Sequence, residues 1–306
     1  MKKGLIITLI TFVCLLALGV TLMIIGISNG GSLQFVADYK NHKVSKDYER
    51  KIIEGNETFD SFDKIDIETD YSDLRIVEGD KYGISYRLYE AEKLECKVEN
   101  DTLIFHHQSK NNVNNFQFST VWTDSKDDNI YVEITVPKDA KITQLSAVSN
   151  YGDLDIKIPQ IDKTNLKFDY GDIKISGLKG ASFETEVDYG DIVLTGSEID
   201  DINIDSDYGE FTQKDSTSKN LTLNMDYGDI DISKTKIDSI DITTNYGDAN
   251  INLIGEKADY DYDIKLDYGD IKLSGEDYEE KYKDIEGKDK KILIDSDSGD
   301  VDITFN

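Results

Sequence analysis

The sequence predicts an all-β protein: a parallel β-helix, or β-solenoid, with rungs of about 19 residues, preceded by one transmembrane α-helix. Three observations carry that expectation. The tetrapeptide D/N-Y-G-D/E recurs with its tyrosine at Tyr151, Tyr170, Tyr189, Tyr208, Tyr227 and Tyr246, a constant 19-residue step. Around each copy, apolar residues alternate with polar ones at the period of a strand. Near the start, an uncharged and mostly apolar run extends from Gly4 to Ile27.

That run is 24 residues long, against the roughly 20 that cross a bilayer core. A cleaved secretory signal would have a shorter apolar core, of about 7 to 15 residues, and a small-x-small exit, whereas this run ends in Gly26-Ile27-Ser28. An uncleaved anchor over 4–28 is expected. Cys14 follows Phe12-Val13, and the absence of a small residue before it disfavours lipidation. Lys2 and Lys3 are the only charges ahead of the span, so the positive-inside bias leaves 1–3 in the cytoplasm and everything after residue 28 outside the cell membrane.

Composition agrees with such a location. The chain carries 62 acidic and 34 basic side chains, a formal charge of −28, which excludes nucleic acid and anionic lipid surfaces as partners through simple repulsion. Cys14 and Cys96 are its two cysteines, one within the expected span, so no intrachain disulfide is expected and stability must come from burial. A hydrophobic content of 38% suits a narrow core better than a wide one.

Aligned on the tyrosine, the repeats become columns. The next residue is always glycine, from Gly152 through Gly171, Gly190, Gly209, Gly228 and Gly247 to Gly269 and Gly299, which demands a corner with positive φ. Three residues after the tyrosine stand Leu154, Ile173, Ile192, Phe211, Ile230, Ala249, Ile271 and Val301. Five after it stand Ile156, Ile175, Leu194, Gln213, Ile232, Ile251, Leu273 and Ile303. Before the corner, one column holds Leu166, Ile204, Leu223, Ile242, Ile264 and Ile294, and another Leu145, Phe183, Ile202, Leu221, Ile240 and Ile292. All four are expected to face inward. A seventh tyrosine, Tyr268, follows after 22 residues, and an eighth corner, with Ser298 in the tyrosine position, after 30; the array is expected to end there. Asp70-Tyr71-Ser72-Asp73 is a degenerate relative.

A hairpin turning at Tyr-Gly would set the flanking acids, such as Asp169 and Asp172, face to face, and like charges directly opposite destabilise a pair. In a parallel solenoid identical residues stack on successive rungs about 4.8 Å apart and share a thin core. The solenoid accounts for every column. The expected segments are a juxtamembrane, partly helical spacer at 29–57, an irregular first part of the solenoid at 58–144, and a regular part at 145–306.

Ile65-Asp66-Ile67, Leu74-Arg75-Ile76-Val77-Glu78-Gly79-Asp80, Leu103-Ile104-Phe105 and Val132-Glu133-Ile134-Thr135-Val136-Pro137-Lys138, followed by the G-D-I corners, resemble the bacterial "putative adhesin" family, which includes LiaG-like envelope proteins. The resemblance covers about residues 58–306. It implies a β-helical fold and an envelope location, and it implies no catalytic residue.

Each conspicuous feature has a plainer structural reading. A stacked ladder filling a corner explains the tyrosine column better than a ligand platform does. Turn capping explains Asp153, Asp172, Asp191, Glu210, Asp229, Asp248 and Asp270 better than a metal site, although stacked carboxylates invite a cation, calcium being the natural candidate. His42, His106 and His107 lack the partners of a zinc site. The carboxylates repeat identically instead of converging at unique positions, as a glycoside-cleaving β-helix would require. Regularity breaks at 109–129, which holds Trp122, and at the mixed-charge insertion 276–290. No catalytic, cofactor-binding or metal-ligating residue is therefore assigned. The expected protein is a non-enzymatic, membrane-anchored extracytoplasmic interaction or adhesin-like accessory protein with a cell-envelope or protein partner. A cation-stabilised structural rod is the first alternative and a carbohydrate-active enzyme the second.

Overall fold

The computed structural model describes residues 51–109 and 129–306 throughout, scattered positions between 12 and 29, and the strands Gln34–Asp38, Lys43–Ser45 and Asn115–Ser119. The chain divides into two compact units, 1–51 with 111–128 and 52–110 with 129–306.

In the first unit Phe12, Leu15, Leu16, Leu18, Leu22 and Ile25 are helical and their apolar side chains are exposed. No helix among the described residues is long and apolar enough to cross a membrane, and the rest of the expected 4–28 span, Cys14 included, lies outside them, as do His42 and Trp122. Gln34–Asp38 pairs antiparallel with Lys43–Ser45 on one side and Asn115–Ser119 on the other. Within 29–57 the described strands are Gln34–Asp38, Lys43–Ser45 and the start of Ile52–Phe59; most of the remainder of the expected spacer lies outside the described residues. Runs such as Phe35-Val36 and Ile52-Ile53 carry the aromatic and β-branched residues that favour a pleated surface.

The second unit is the solenoid. Each rung has a long strand that ends at the tyrosine, a corner at the glycine, and a short strand in a second sheet. In the Tyr189 rung these are Lys179–Tyr189 and Ile192–Thr195. Pairing between successive rungs is parallel and in register, Tyr151 on Tyr170, Tyr170 on Tyr189, Tyr189 on Tyr208, and so on to Tyr246. The inward columns are buried as expected, with Ile204, Leu223 and Ile242 in one and Ile192, Phe211 and Ile230 in another, all at 1% exposure or less. Gln213, the polar member of its column, is also buried and donates from Nε2 to Ser218 Oγ at 2.8 Å. Cys96 lies half-buried against the core, where burial and the neighbouring Glu57 push its thiol up to about 12.

The degenerate relative at Tyr71 is a full rung, with Lys64–Tyr71 and Asp73–Gly79 lying directly on the Tyr151 rung. At the other end the chain does not stack in sequence order. Lys290–Ser298 pairs with the Tyr246 rung on one side and with Tyr260–Tyr268 on the other, so the Ser298 corner sits between Tyr246 and Tyr268. The expectation that the array ends at Ser298 is corrected: the last rung in space is that of Tyr268. The cause is the insertion after Leu273. Glu276–Tyr278 and Lys281–Asp284 run antiparallel along the two strands of the Tyr268 rung and close that end, and the chain then turns back to fill the layer beneath. The opposite end is closed alike, by Ala91–Glu99 on Thr102–Ser109 and by Tyr82–Tyr89 and Ile52–Phe59 beyond Tyr131–Pro137. Reversed strands at both ends cover edges that would otherwise template further pairing.

Two corner columns differ in how they hold the chain. At the tyrosine corner the glycines have φ between +134° and +152°, a region essentially closed to other residues. A Cβ on Gly209 would also stand 2.0 Å from the carbonyl oxygen of Gly190, one rung below. The turn into the next rung is looser: Gly177 and Gly196 have φ of +72° and +61°, and Asp215 and Lys234 adopt +49° and +50° at the matching positions. A Cβ at Gly196 meets nothing within 4 Å.

Gly196→Ala should therefore cost about 1 kcal/mol, the left-handed penalty alone, whereas Gly209→Ala, in a closed region and against backbone, should cost about 3 kcal/mol or more. Urea unfolding of the two variants beside the wild type measures the difference, and equal losses would refute the stacked corner as the tighter constraint.

Candidate interaction surface

The corner that orders the backbone also orders the tyrosines. Gly171 N–H donates to the Tyr189 carbonyl at 2.9 Å and Gly190 N–H to that of Tyr208 at 3.0 Å, so each corner hangs on the next. The rings follow. Tyr71, Tyr151, Tyr170, Tyr189, Tyr208, Tyr227 and Tyr246 form one stack with centroids 4.8 to 5.0 Å apart and planes within 5° of parallel. Such contacts contribute about 0.5 to 1.5 kcal/mol per pair beyond area burial. The rings remain 41 to 50% exposed, and their outer edges form a continuous aromatic ridge.

Two acidic columns flank the ridge and differ electrostatically. Two residues after each tyrosine, one rung's carboxylate accepts a hydrogen bond from the next rung's amide: Asp172 N–H donates to Asp153 Oδ1 at 2.9 Å, Asp191 N–H to Asp172 Oδ1 at 3.1 Å, and Asp248 N–H to Asp229 Oδ1 at 2.9 Å. This is turn capping, repeated rung after rung. Burial alone would raise the Asp172 carboxyl, but the Lys174 ammonium at 3.0 Å and the Asp191 amide outweigh it and hold the group below its ordinary range.

The column one residue before the tyrosine lacks that help in mid-stack. Desolvation, followed by the charges of Asp188 and Asp226 on the neighbouring rungs, pushes Asp207 above the usual aspartate range. Elsewhere in this column asparagine relieves the repulsion: Asn245 Nδ2 donates to Asp226 Oδ1 at 2.7 Å and Asn150 Nδ2 to Asp70 Oδ1 at 3.3 Å. Farther along the strands, cross-rung pairs such as Lys167–Glu186 and Lys219–Asp200, at 2.7 and 2.8 Å, place the few bases where they meet acids.

The other sequence candidates fall elsewhere. His106 and His107 lie on the strand Thr102–Ser109. His106 Nε2 is 3.2 Å from Asp66 Oδ2, and buried His107 donates from Nε2 to the Tyr89 carbonyl at 3.0 Å. Both line a shallow depression with Asp70, Lys93 and Asn150. Among the described residues no group of three or more His, Cys, Asp or Glu is placed to hold a metal ion. The 276–290 insertion supplies the end cap, anchored by Asp261, whose carboxylate accepts the amides of Glu286, Gly287 and Lys288. The acidic column before the tyrosines was not singled out from the sequence; its signal is the pattern Asn150, Asp169, Asp188, Asp207, Asp226, Asn245.

A β-solenoid of glycine-cornered rungs, capped at both ends by antiparallel strands and ridged with tyrosine, defines the structural class of this protein. The chain belongs to the Toastrack DUF4097 family, which it matches over residues 62–304. Its fold is shared with a "putative adhesin" from Parabacteroides distasonis ATCC 8503, at 15% identity and a TM-score of 0.50 over 83% of this chain and 98% of that one. Also matched are a "putative lipid binding protein" from the same organism (12% identity, TM-score 0.42, 84% and 96% covered) and a "putative cell adhesion protein" from Clostridium sporogenes ATCC 15579 (11%, 0.29, 84% and 100%). No curated protein matches the sequence.

The two acidic columns should respond to substitution with opposite signs. Asp207 has a raised folded-state pKa, so its charged form opposes folding; the penalty is full above that pKa and fades as pH falls through it. Asp207→Asn should stabilise near neutral pH by up to about 1 kcal/mol, the ceiling for exposed charges, and the gain should shrink on acidification. Asp172 has a lowered pKa, so its contribution is present above the unfolded value and lost as pH falls through the folded one. Asp172→Ala should destabilise at neutral pH. Thermal midpoints of both variants from pH 7 to pH 3 check the signs, and a shared sign would refute the distinction.

Proposed function

We propose that this protein is a membrane-anchored, extracytoplasmic and non-catalytic interaction protein, and that the tyrosine ridge with its acidic margins is its contact face. The observation that carries the reading is the ridge: seven rings in one exposed stack on a rigid parallel scaffold. Exposed aromatics held rigid offer contact area at low entropic cost, a property of interface anchors. The apolar run Gly4 to Ile27 behind Lys2 and Lys3 supports the anchor and its orientation, and the solved "putative adhesin" of the same fold agrees with a role in contact.

A second reading, a rod stabilised by cations, has support in mid-stack Asp207, whose carboxyl is pushed up by desolvation and by the charges of Asp188 and Asp226 on the neighbouring rungs. Calcium accepts six to eight oxygens in flexible geometry. It should then raise the thermal midpoint beyond sodium chloride of equal ionic strength; matched shifts would leave only general screening.

Two measurements test the main reading. Protease added to intact cells should remove a C-terminal tag, and a tag that survives would place the solenoid on the wrong side. The triple variant Tyr170→Ser, Tyr189→Ser, Tyr208→Ser should keep its strand content yet lose at least tenfold in retention on isolated cell envelopes. Retention equal to wild type would overturn the ridge as the contact face.

A further inference from the structure

The tyrosine stack has one missing ring. The register continues past Tyr246 to Ser298 and then to Tyr268, and the backbone there is undisturbed. Gly299 has the same φ, +141°, as its counterparts, Gly247 N–H donates to the Ser298 carbonyl at 3.2 Å, and Gly299 N–H donates to that of Tyr268 at 3.1 Å. Only the side chain is short. Tyr246 is accordingly more exposed than the six rings below it, 50% against 41 to 43%, and Tyr268 reaches 75%.

Two rung spacings separate the positions of Tyr246 and Tyr268, about 9.6 Å. A single planar group placed midway would keep the spacing of the built stack, with the Tyr246 ring on one side, the register position of Tyr268 on the other and the small Ser298 between them. The margins set the charge of that group. Asp297 and Asp300 flank Ser298, Asp267 and Asp270 flank Tyr268, and Asp248 follows Tyr246. All five are exposed, and Lys265 and Lys272, the bases of the outermost rung, stand two positions farther along their strands.

We infer that the Ser298 gap is a binding slot for a planar cation, the guanidinium of an arginine side chain on a partner. A guanidinium is flat, weakly hydrated and stacks on aromatic faces, and its N–H groups radiate in the plane toward carboxylates on either side. An ammonium is compact and strongly hydrated and cannot lie between two rings in that way. Asp248 and Asp300 each accept the next rung's amide through Oδ1, at 2.8 and 2.9 Å, which leaves their second oxygens and the carboxylates of Asp267 and Asp297 to meet a cation. A neutral phenol would fit by shape but answer none of that charge. The inference rests on the reading of the ridge as a contact face and names the chemistry recognised at one point along it.

The test uses the full chain with tyrosine rings isotopically labelled, titrated with the probe peptides acetyl-Gly-Arg-Gly-amide, acetyl-Gly-Lys-Gly-amide and acetyl-Gly-Tyr-Gly-amide and followed by NMR. The arginine peptide is expected to shift the Tyr246 and Tyr268 resonances and to bind at least fivefold more tightly than the other two. Ser298→Tyr, which fills the gap with a ring, should weaken arginine binding at least tenfold while raising the thermal midpoint. Tyr268→Ser, which removes one wall, should weaken it similarly and serves if the first variant fails to fold. Equal affinity for the lysine peptide, equal affinity for the tyrosine peptide, or arginine binding unchanged in the Ser298 and Tyr268 variants would each overturn the slot. Binding that survives those variants but is lost in Tyr189→Ser would overturn the slot while leaving the ridge as a contact face.

Discussion

The structure depends on the contact between one glycine corner and the next. A carbonyl oxygen of one rung occupies the space where the next rung's glycine would carry a Cβ, 2.0 Å from that position at Gly171, Gly190 and Gly209. Backbones that approach so closely cannot slide, so each rung takes its register from the one below. Once the corner is set, period-two alternation sends the same positions inward on every rung, and the core becomes columns of isoleucine, leucine and phenylalanine. The tyrosine stack is a consequence of the same contact: neighbouring rings are held parallel because the backbones beneath them are superposed.

Repetition that aligns apolar side chains also aligns like charges, and the molecule offsets this locally. One acidic column spends its oxygens on the amides of the next rung. The other is interrupted by asparagine near its ends and left charged in the middle. Between the columns and the strand faces, lysines meet acids 19 residues away in sequence and one rung away in space. The −28 charge is therefore unevenly felt, concentrated beside the ridge and partly neutralised elsewhere.

Much of this was legible in the sequence because a parallel stack writes its geometry as a period. The 19-residue step, the glycine column and the four inward columns required no knowledge of which rung touches which. Asp70-Tyr71-Ser72-Asp73 marked a turn related to the corners within a stretch expected to be irregular, but that it heads a full rung lying on the Tyr151 rung shows only in the strand pairing. The ends were not legible. Layer order is set by which strand finds which free edge, and Lys290–Ser298 entering beneath Tyr260–Tyr268 leaves no mark on local alternation. The looser corner was missed because Gly177, Gly196, Asp215 and Lys234 share a backbone conformation without sharing a residue type. The gap at Ser298 was visible as a substitution, but its meaning depended on the layer order.

That layer order has a consequence for how the molecule is completed. The strands of residues 290–305 form an inner layer, with the Tyr246 rung on one side and the Tyr268 rung on the other. A chain emerging residue by residue can add rungs in order as far as Tyr246, but the rung made next cannot reach its final neighbour until a later segment has arrived. The finished stack thus registers whether the whole repeat region has been delivered. A chain cut short before residue 290 would present an open sheet edge and an unsupported flap in place of a closed end, and open edges of that kind template pairing with other chains.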